Sequence, residues 1–263
     1  MMKFWAHILR MIGGEPRGRE FAGPHPDAPF LAVGDIHGRA DLLARLMMRI
    51  ETDHPEWPVV FLGDYIDRGA DSRRVLDRLM AATLGPAPRA VCLMGNHELM
   101  LLDFLDDPLR HGPRWLRNGG DATARSFDVA VSRHTEDPDA LYQARDALAA
   151  AMGRERAAWI RALPLVWRSG NVWAVHAGAD PARSMEDQDA GTFLWGDPGF
   201  LRHPRADGQW IVHGHTIMKA PKIGEGRISI DTGAYATGIL TAAVITSEGT
   251  GFLDAQIEDA GRP

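Results

Sequence analysis

The chain has 263 residues, of which 45% are hydrophobic and 24% are charged, with a formal net charge of -6 at pH 7. This composition is ordinary for a globular protein and fits either one large α/β domain or two small ones. The acidic balance argues against general nucleic-acid binding, because nucleic-acid binders carry an excess of basic residues. Cys92 is the single cysteine of the sequence, which excludes an internal disulfide and favours a reducing, cytoplasmic compartment.

Residues 1–29 are predicted to form an N-terminal extension. Met1–Ile12 is apolar with interspersed basic residues. It is shorter than the roughly 20 apolar residues that a bilayer span needs, and it lacks the pattern of a signal peptide. It matches either a short amphipathic helix or a frayed terminus. Gly13–Pro29 is rich in Gly, Pro and charged residues and is predicted to be a connecting loop. We therefore expect no membrane span.

The first half of the chain repeats one pattern three times: an apolar run, a polar turn, and apolar residues at helical spacing. Strands are predicted at Phe30–Val33, Val59–Leu62 and Ala90–Met94. The polar turns recur at a regular distance, because Asp64 lies 29 positions after Asp35 and Asn96 lies 32 positions after Asp64. One βαβ unit takes about 30 residues. The three turns are therefore expected at one edge of a parallel sheet, where α/β proteins bind ligands.

The second half is predicted to combine helices with a second sheet. Alanine-rich segments at Ala140–Met152 and Glu155–Leu163 suggest a helical insertion at about 108–164, which has too few large apolar residues to form its own core. Trp115–Asp121 is predicted to be a polar turn. Later strands are predicted at Val172–Val175, Gln209–Val212, Arg227–Ile230, Leu240–Ile245 and Gly251–Ile257. We assign these strands to an antiparallel or mixed sheet packed on the first, within one domain of residues 30–263.

Polar residues with the chemistry of metal ligands follow the predicted strands of both halves. They are Asp35, His37, Asp64, Asn96, His176 and His215. A set of carboxylate, imidazole and amide groups without a thiolate suits Mn²⁺, Fe or Zn²⁺. Six candidates exceed one tetrahedral site but match two ions that share a carboxylate. Two ions ~3.5–4 Å apart can bind the attacking and leaving oxygens of an in-line displacement.

Three blocks in order carry a family resemblance: Gly34-Asp35-x-His37-Gly38, Gly63-Asp64-x-x-Asp67-Arg68-Gly69 and Gly95-Asn96-His97-Glu98. With the later His176, His215 and Asp231–Tyr235, they resemble the signature motifs of the PPP-type phosphoprotein phosphatases. The likeness is greatest to the compact bacterial and phage (lambda-phosphatase-like) members and spans about Phe30 to Ile245. It implies an α/β fold of two packed mixed β-sheets flanked by helices, the calcineurin-like metallophosphoesterase sandwich.

The resemblance also implies a function. The chain would be a metal-dependent phosphomonoesterase, in which water activated by two divalent ions, with Mn²⁺ as first choice and Fe or Zn²⁺ as alternatives, attacks phosphorus. One ion would be held by Asp35, His37 and Asp64, and the other by Asp64, Asn96, His176 and His215. His97 would be the general acid, oriented by Asp67, while Arg68 would bind the phosphate. Asn96, Arg202 and Tyr235 complete the set predicted to bind substrate.

One departure from the family pattern concerns the substrate. Family members carry a further phosphate-binding arginine directly after a Leu-Trp pair, whereas Leu194-Trp195 is followed here by Gly196-Asp197. Arg202 or Arg205 are candidates to replace it. Among the arginines at 108–164, Arg117 is the one favoured as lining a substrate channel.

Three functions stay open. The first is a protein phosphatase acting on Ser, Thr or Tyr phosphates. The second is a symmetric dinucleoside polyphosphate hydrolase, which shares all three blocks and for which Arg117, Trp115 and Trp195 could form a base-stacking cleft. The third is a non-catalytic phosphate-binding module, against which the complete set of ligands and acid argues. The expected partner is a phosphorylated protein or a small phosphoester, with no nucleic acid, and the oligomeric state stays open.

Overall fold

The computed structural model describes residues 21–85 and 88–256. The predicted amphipathic or frayed segment Met1–Ile12 lies outside the described residues. The described end of the extension runs along the second sheet. The Phe21 ring meets the Trp210 ring edge-on, with their centroids 5.4 Å apart. Nearby, the His25 backbone N–H donates to Oδ1 of Asn171 at 2.6 Å.

In the described chain, ten strands form two mixed sheets of five strands each, and helices flank them. The strands are β1 Phe30–Val33, β2 Val59–Phe61, β3 Ala90–Cys92, β4 Val166–Ser169, β5 Val172–Val175, β6 Trp210–His213, β7 Lys222–Gly224, β8 Arg227–Ser229, β9 Ile239–Thr246 and β10 Gly249–Gln256. The first sheet has the order β10-β9-β1-β2-β3 and the second has the order β4-β5-β6-β8-β7. The predicted fold class is confirmed.

Eight α-helices occur in the described residues. They are α1 Ala40–Asp53, α2 Ser72–Leu84, α3 Asn96–Asp106, α4 Pro108–Trp115, α5 Asp121–Ser126, α6 Pro138–Arg161, α7 Ala190–Trp195 and α8 Ala234–Thr237. A π-helical turn, Leu116–Gly120, joins α4 to α5, and a 3₁₀ turn covers Met185–Asp187. None of the helices in the described ranges is long and apolar enough to cross a bilayer.

Alternation along β1 shows how the layers are built. Phe30 and Ala32 are buried in the core between the two sheets. Leu31 and Val33 are buried on the opposite side, in the core that the first sheet shares with its helices. Successive side chains of a strand point to opposite faces, so a strand covered on both faces is apolar throughout. β1 pairs parallel with β2, and β2 pairs parallel with β3, so these three strands end at the same edge of the sheet, as predicted.

The assignment of the last two strands to the second sheet is wrong. β9 pairs antiparallel with β1, with Phe30 opposite Ile245 and Val33 opposite Ala242. β10 then pairs with β9. The first sheet is consequently mixed rather than parallel, because these strands extend its β1 edge. Nothing in their local pattern indicates which sheet they join, since the hairpin is apolar enough for either. The short strands β4 and β7 were not predicted; each has an exposed polar residue and at most four positions.

The segment after α4 is also different from the prediction. Trp115–Asp121 was predicted to be a turn, but it continues α4 through the π-helical turn into α5. Trp115 is fully buried, and its ring stacks on Phe104 with centroids 4.6 Å apart. The two predicted helices at 140–163 form the single element α6, whose backbone breaks at Gly153, with φ 78° and ψ 160°.

Candidate metal centre and active site

The candidate ligands lie at the carboxyl ends of strands in both sheets. The parallel strands β1, β2 and β3 lead into the turns that carry Asp35, Asp64 and Asn96. In the second sheet, β5 is followed directly by His176, and β6 ends two residues before His215. The five strand ends therefore deliver carboxylate, amide and imidazole groups to one end of the sandwich.

Asp64 lies at the centre of these groups, and its two oxygens face different neighbours. Oδ2 is 3.5 Å from Nε2 of His37 and 3.8 Å from Nε2 of His97, while Oδ1 is 3.4 Å from Nε2 of His176. Asp64, His37 and His97 form one group of potential metal ligands, and Asp64, His176 and His215 form another. The ligand atoms within each group lie within 4.8 Å of one another. A carboxylate shared by two groups suits a dinuclear site.

Asn96 and Asp35 lie against the second group. Oδ1 of Asn96 is 2.9 Å from Nε2 of His176 and 2.9 Å from Nδ1 of His215. Both carboxylate oxygens of Asp35 accept the His215 backbone N–H at 3.1 Å. The structure thus brings the six predicted ligands together, although the first group contains His97 where Asp35 was expected.

Hydrogen bonds fix the orientation of two of the imidazoles. Nδ1 of His37 lies 2.8 Å from the carbonyl oxygen of Ile66, and Nδ1 of His176 lies 2.9 Å from that of Leu62. Because a carbonyl can only accept, each Nδ1 carries the proton and donates it. Each Nε2 then presents its lone pair to Asp64 and its surroundings, which is the orientation of a metal-binding histidine.

The charge state of the cluster also fits divalent cations. Burial lowers the pKa of His37 to about 3 and that of His215 to about 4, so both are neutral near pH 7. Burial raises the pKa of Asp35, and the carboxylates of Asp231 and Asp64 raise it further. Neutral imidazoles and crowded buried carboxylates form a donor set that a cation stabilises.

The backbone at the cluster is held in a conformation that side chains other than glycine rarely adopt. Positive φ angles occur at His37 (45°), Asp64 (55°), Asp67 (70°), Arg68 (66°) and His215 (61°). Such residues cost free energy and persist where the surrounding structure enforces them, commonly at functional sites. Gly95 and Gly214 permit close approach, because a Cβ would lie 2.3 Å from Oδ1 of Asp64 at Gly95 and 2.0 Å from Oδ1 of Asp35 at Gly214.

Glu98 is one of the groups that enforce this geometry. Its buried carboxylate accepts the backbone N–H groups of Gly95 at 3.0 Å and of Asp64 and Tyr65 at 2.8 Å. One side chain therefore ties the start of α3 to the turn after β2. Burial and the nearby charge of Asp64 raise the pKa of Glu98 to about 8.

His97 and Asp67 form a buried dyad beside the cluster. Nδ1 of His97 is 2.7 Å from Oδ2 of Asp67. Burial alone would lower the pKa of His97, but the carboxylates of Asp64 and Asp67 outweigh it and raise the pKa. A histidine that is more readily protonated and has Nε2 directed at the cluster is suited to donate a proton there.

Two residues of the helical region, which comprises α4 to α6, hold Asp67 in place. The sequence prediction missed both roles. Nε1–H of Trp115 donates to both carboxylate oxygens of Asp67, at 3.2 and 3.1 Å. The Thr123 hydroxyl donates to Oδ1 of Asp67 at 2.6 Å. These donors lie 48 and 56 positions from Asp67, so no local pattern could have linked them.

Arg68 and Tyr235, two of the residues predicted to bind substrate, are exposed and lie on the His37 side of the cluster. The Arg68 guanidinium nitrogens lie 3.0 Å from Nε2 of His37 and 3.2 Å from Nε2 of His97. The guanidinium also stacks over the Tyr235 ring, with Cζ 4.7 Å from its centroid. An anion bound by Arg68 would lie directly at the candidate ligands.

Two arginines were proposed to replace the expected one after Leu194-Trp195, and Arg205 is engaged within its own loop. Arg205 is buried and donates to the carbonyl oxygens of Asp180 at 2.9 Å and Arg183 at 2.8 Å. It also pairs with Asp207. Arg205 is therefore committed to its own loop. Arg202 is exposed in that loop, and its backbone N–H bonds to the carbonyl of Gly199.

Arg114, rather than Arg117, approaches the site from the helical region. Cζ of Arg114 lies 4.4 Å from the ring centroid of Trp195, and that ring meets the His215 ring edge-on with centroids 6.5 Å apart. Arg117 instead pairs with the exposed Glu136 at 3.2 Å. The charge of Arg117, the arginine expected to line the substrate channel, is thus compensated by an ion pair in this structure. In the sequence, only the Leu194-Trp195 pair, which an arginine follows in family members, indicated that an arginine lies near Trp195.

Comparison with known proteins identifies the family. Residues 28–219 match the family model described as calcineurin-like phosphoesterase. The chain belongs to this family. It is 30% identical to serine/threonine-protein phosphatase 1 of Salmonella typhimurium over 221 residues, which cover 81% of this chain and 90% of that protein.

Two further similarities are to proteins described as tetraphosphatases. The chain is 32% identical over 155 residues to a symmetrical bis(5'-nucleosyl)-tetraphosphatase of Methylococcus capsulatus; the match covers 59% of this chain and 45% of that protein. The chain thus spans less than half of that relative's length. The crystal structure of a candidate diadenosine tetraphosphatase shares the fold, with a TM-score of 0.60 at 18% identity, over 88% of this chain and 96% of that one.

The chain is therefore a member of a family of phosphoesterases. This agrees with the donor set at the strand ends, which offers two groups of ligands around Asp64. Both protein and nucleotide substrates occur among the relatives.

Proposed function

We propose that the protein is a phosphomonoesterase that hydrolyses phosphorylated protein side chains with two divalent cations. The observation that carries this proposal is the convergence of three groups. Nε2 of His97 lies 3.8 Å from the shared carboxylate of Asp64 and 3.2 Å from the guanidinium of Arg68. A cation-binding carboxylate, a proton donor and a phosphate-binding group thus meet at one point, which is the requirement for hydrolysis of a phosphate ester.

The predicted ligands would hold the cations, with Mn²⁺ as our first choice and Fe or Zn²⁺ as alternatives. They are Asp35, His37, Asp64, Asn96, His176 and His215. When bound, the cations would lower the pKa of a water molecule and neutralise charge on the phosphoryl oxygens.

The side chains of the protein would perform the remaining steps. Arg68 binds two phosphoryl oxygens through its planar guanidinium and orients the phosphorus toward the attacking water. The phosphorus–oxygen ester bond breaks as the water oxygen bonds to phosphorus, and Nε2 of His97 gives its proton to the leaving oxygen. Asp67, hydrogen-bonded to Nδ1, stabilises the protonated imidazole before the transfer. Trp115 and Thr123 keep the Asp67 carboxylate in place.

Support for a protein substrate comes from the extent of the similarity. The match to the Salmonella protein phosphatase covers most of both chains, whereas the tetraphosphatase match covers less than half of that relative. A symmetric dinucleoside polyphosphate hydrolase is the second candidate. It is favoured by the exposed pair of Arg114 and Trp195, which offers a cation and an aromatic surface next to His215.

An assay panel separates these candidates. The Mn²⁺-loaded protein would be given phosphoserine, phosphothreonine and phosphotyrosine peptides, diadenosine tetraphosphate and p-nitrophenyl phosphate. We expect turnover of the phosphopeptides and of p-nitrophenyl phosphate. Turnover of the dinucleotide alone would reject the protein substrate in favour of the second candidate. If all substrates stayed intact, the non-catalytic phosphate-binding module would replace both.

We also propose a cytoplasmic location. The support is the single cysteine, Cys92, which is buried in β3 and whose thiol has a pKa raised by burial. A buried neutral thiol behaves as a small apolar core residue and needs no oxidising compartment.

A further inference from the structure

The side of the ligand cluster that contains His215 has its own cationic residue, carried by the helical region. Arg114 projects from α4 onto the ring of Trp195, the last residue of α7. Trp195 is 38% exposed and meets His215 edge-on. Contacts therefore run without interruption from a candidate metal ligand through Trp195 to the guanidinium of Arg114.

The chemistry of this stack leaves Arg114 free to bind an anion. A guanidinium that stacks on an aromatic ring uses its face, whereas its N–H donors lie at its edge. Arg117, on the next turn, is paired with Glu136. In the described ranges, by contrast, no ion pair joins Arg114 to a carboxylate. Trp195 thus positions an exposed guanidinium near the cluster, without an ion pair to any carboxylate of the described residues.

A comparison with Arg68 indicates which part of a substrate Arg114 would meet. Arg68 lies within 3.2 Å of both His37 and His97, so its anion is the phosphoryl group that reacts. Arg114 is separated from His215 by the width of the Trp195 ring. The two arginines therefore adjoin different ligand groups, Arg68 the group with His37 and His97 and Arg114 the group with His215.

We propose that Arg114, held by Trp195, binds a second anionic group of the substrate, next to the phosphoryl group that is hydrolysed. This inference rests on the proposed phosphoesterase function. The group would be a phosphate or a carboxylate, because both match the planar fork of donors of a guanidinium. Its source is either the phosphate chain of a nucleotide or an acidic side chain beside a phosphorylated residue. Arg114 is accordingly a specificity-determining residue.

The test compares substrates that differ in this second anion. Values of kcat/KM would be measured for diadenosine tetraphosphate, for a phosphopeptide with Glu on both sides of the phosphorylated residue, and for the same peptide with Gln in their place. The preference is the ratio of kcat/KM for a substrate that carries a second anion to kcat/KM for the Gln peptide. In Arg114→Gln we expect this ratio to fall about tenfold, mainly because KM rises, since one charge-assisted pair is lost. Arg114→Lys should retain part of that preference. Arg117→Gln removes an already paired charge from the same segment and should keep all of it.

Each outcome has a defined meaning. A fall in the preference for the Glu peptide identifies an acidic side chain as the source, and a fall for the dinucleotide identifies a phosphate chain. An unchanged preference for both, or an equal loss in Arg117→Gln, would overturn the proposal.

Failure of the proposed function itself would be recognised separately. If wild-type protein hydrolysed no substrate, calorimetric titration of the Mn²⁺-loaded protein with imidodiphosphate and with inorganic phosphate would still test Arg114. The preference for imidodiphosphate should then fall in Arg114→Gln, and equal weakening of both anions would overturn the inference.

Discussion

The ligand cluster and the rim around it are built in opposite ways. The cluster residues, such as Asp64 and His176, are buried and fixed by hydrogen bonds at the ends of strands. The rim residues Arg68, Tyr235, Trp195 and Arg114 are exposed and held by stacking of guanidinium groups on aromatic rings. Preorganised buried groups suit chemistry that requires a fixed geometry. An exposed rim can change with little cost to the fold, so it is the natural place to set substrate preference.

One segment of the helical region connects the ligand cluster to the rim. Within Arg114–Gly119, Trp115 donates to Asp67, the Gly119 carbonyl accepts the Arg68 backbone N–H at 3.2 Å, and Arg114 stacks on Trp195. The helical region therefore touches both the buried dyad and both sides of the rim.

The largest effect is expected at the centre of the cluster. Asp64→Asn removes the charge shared by both groups of ligands, so we expect loss of bound metal. Turnover of p-nitrophenyl phosphate should fall roughly 10⁴-fold or more, because cations contribute several kcal/mol of transition-state stabilisation. Metal analysis and kcat would be measured together. Asp71→Asn, which changes an acid that pairs only distantly with Arg74 at 3.8 Å, is the control and should keep metal and turnover. Full metal content in Asp64→Asn would show that the Asp64 carboxylate is not a metal ligand shared by the two groups.

A variant at His97 distinguishes proton donation from metal binding. His97→Asn should lose ~10²–10⁴-fold in kcat, the usual contribution of a general acid. The loss should be greater for phenyl phosphate than for p-nitrophenyl phosphate, because the poorer leaving group depends more on the proton. Metal content should be unchanged. Since His97 lies in one of the two ligand groups, loss of a metal ion in this variant would identify it as a ligand instead.

Trp115 tests whether the helical region supports the dyad. Trp115→Phe keeps an aromatic ring against Phe104 but removes the N–H donor to Asp67. We expect kcat to fall by about 10-fold or more, as for loss of other outer-shell hydrogen bonds. Trp159→Phe is the matched control, because its Nε1 donates to Thr83 in α2, away from the site. Equal kcat values for the two variants would show that Asp67 does not need Trp115.

The smallest effect is expected at the rim. Tyr235→Leu removes the ring beneath Arg68, so KM should rise about 2–5-fold, in line with an exposed cation–π contact. Tyr142→Leu changes another exposed tyrosine that stacks with an arginine, Arg145, at 5.6 Å. It should leave KM unchanged. A change in KM of the same size in both variants would remove Tyr235 from the substrate site.

The sequence alone was sufficient to predict the parts of the fold that depend on local pattern. Strand-turn-helix units placed Asp35, Asp64 and Asn96 at one sheet edge, because residue types and spacing encode parallel βαβ order. The membership of β9 in the first sheet could not be predicted, since pairing with β1 joins Ile245 to Phe30 across most of the chain. The contacts of Trp115 with Asp67 and of Arg114 with Trp195 could not be predicted either, because the partners are distant in sequence.

The most direct test of the central claim is a metal titration of one sample. The protein would be stripped with a chelator and titrated with Mn²⁺, and bound metal and turnover of p-nitrophenyl phosphate would be followed together. Because Asp64 joins two groups of ligands, we predict two ions per chain at saturation, with full turnover reached only at the second equivalent. Full turnover with one ion per chain, or turnover in the stripped protein, would contradict the account.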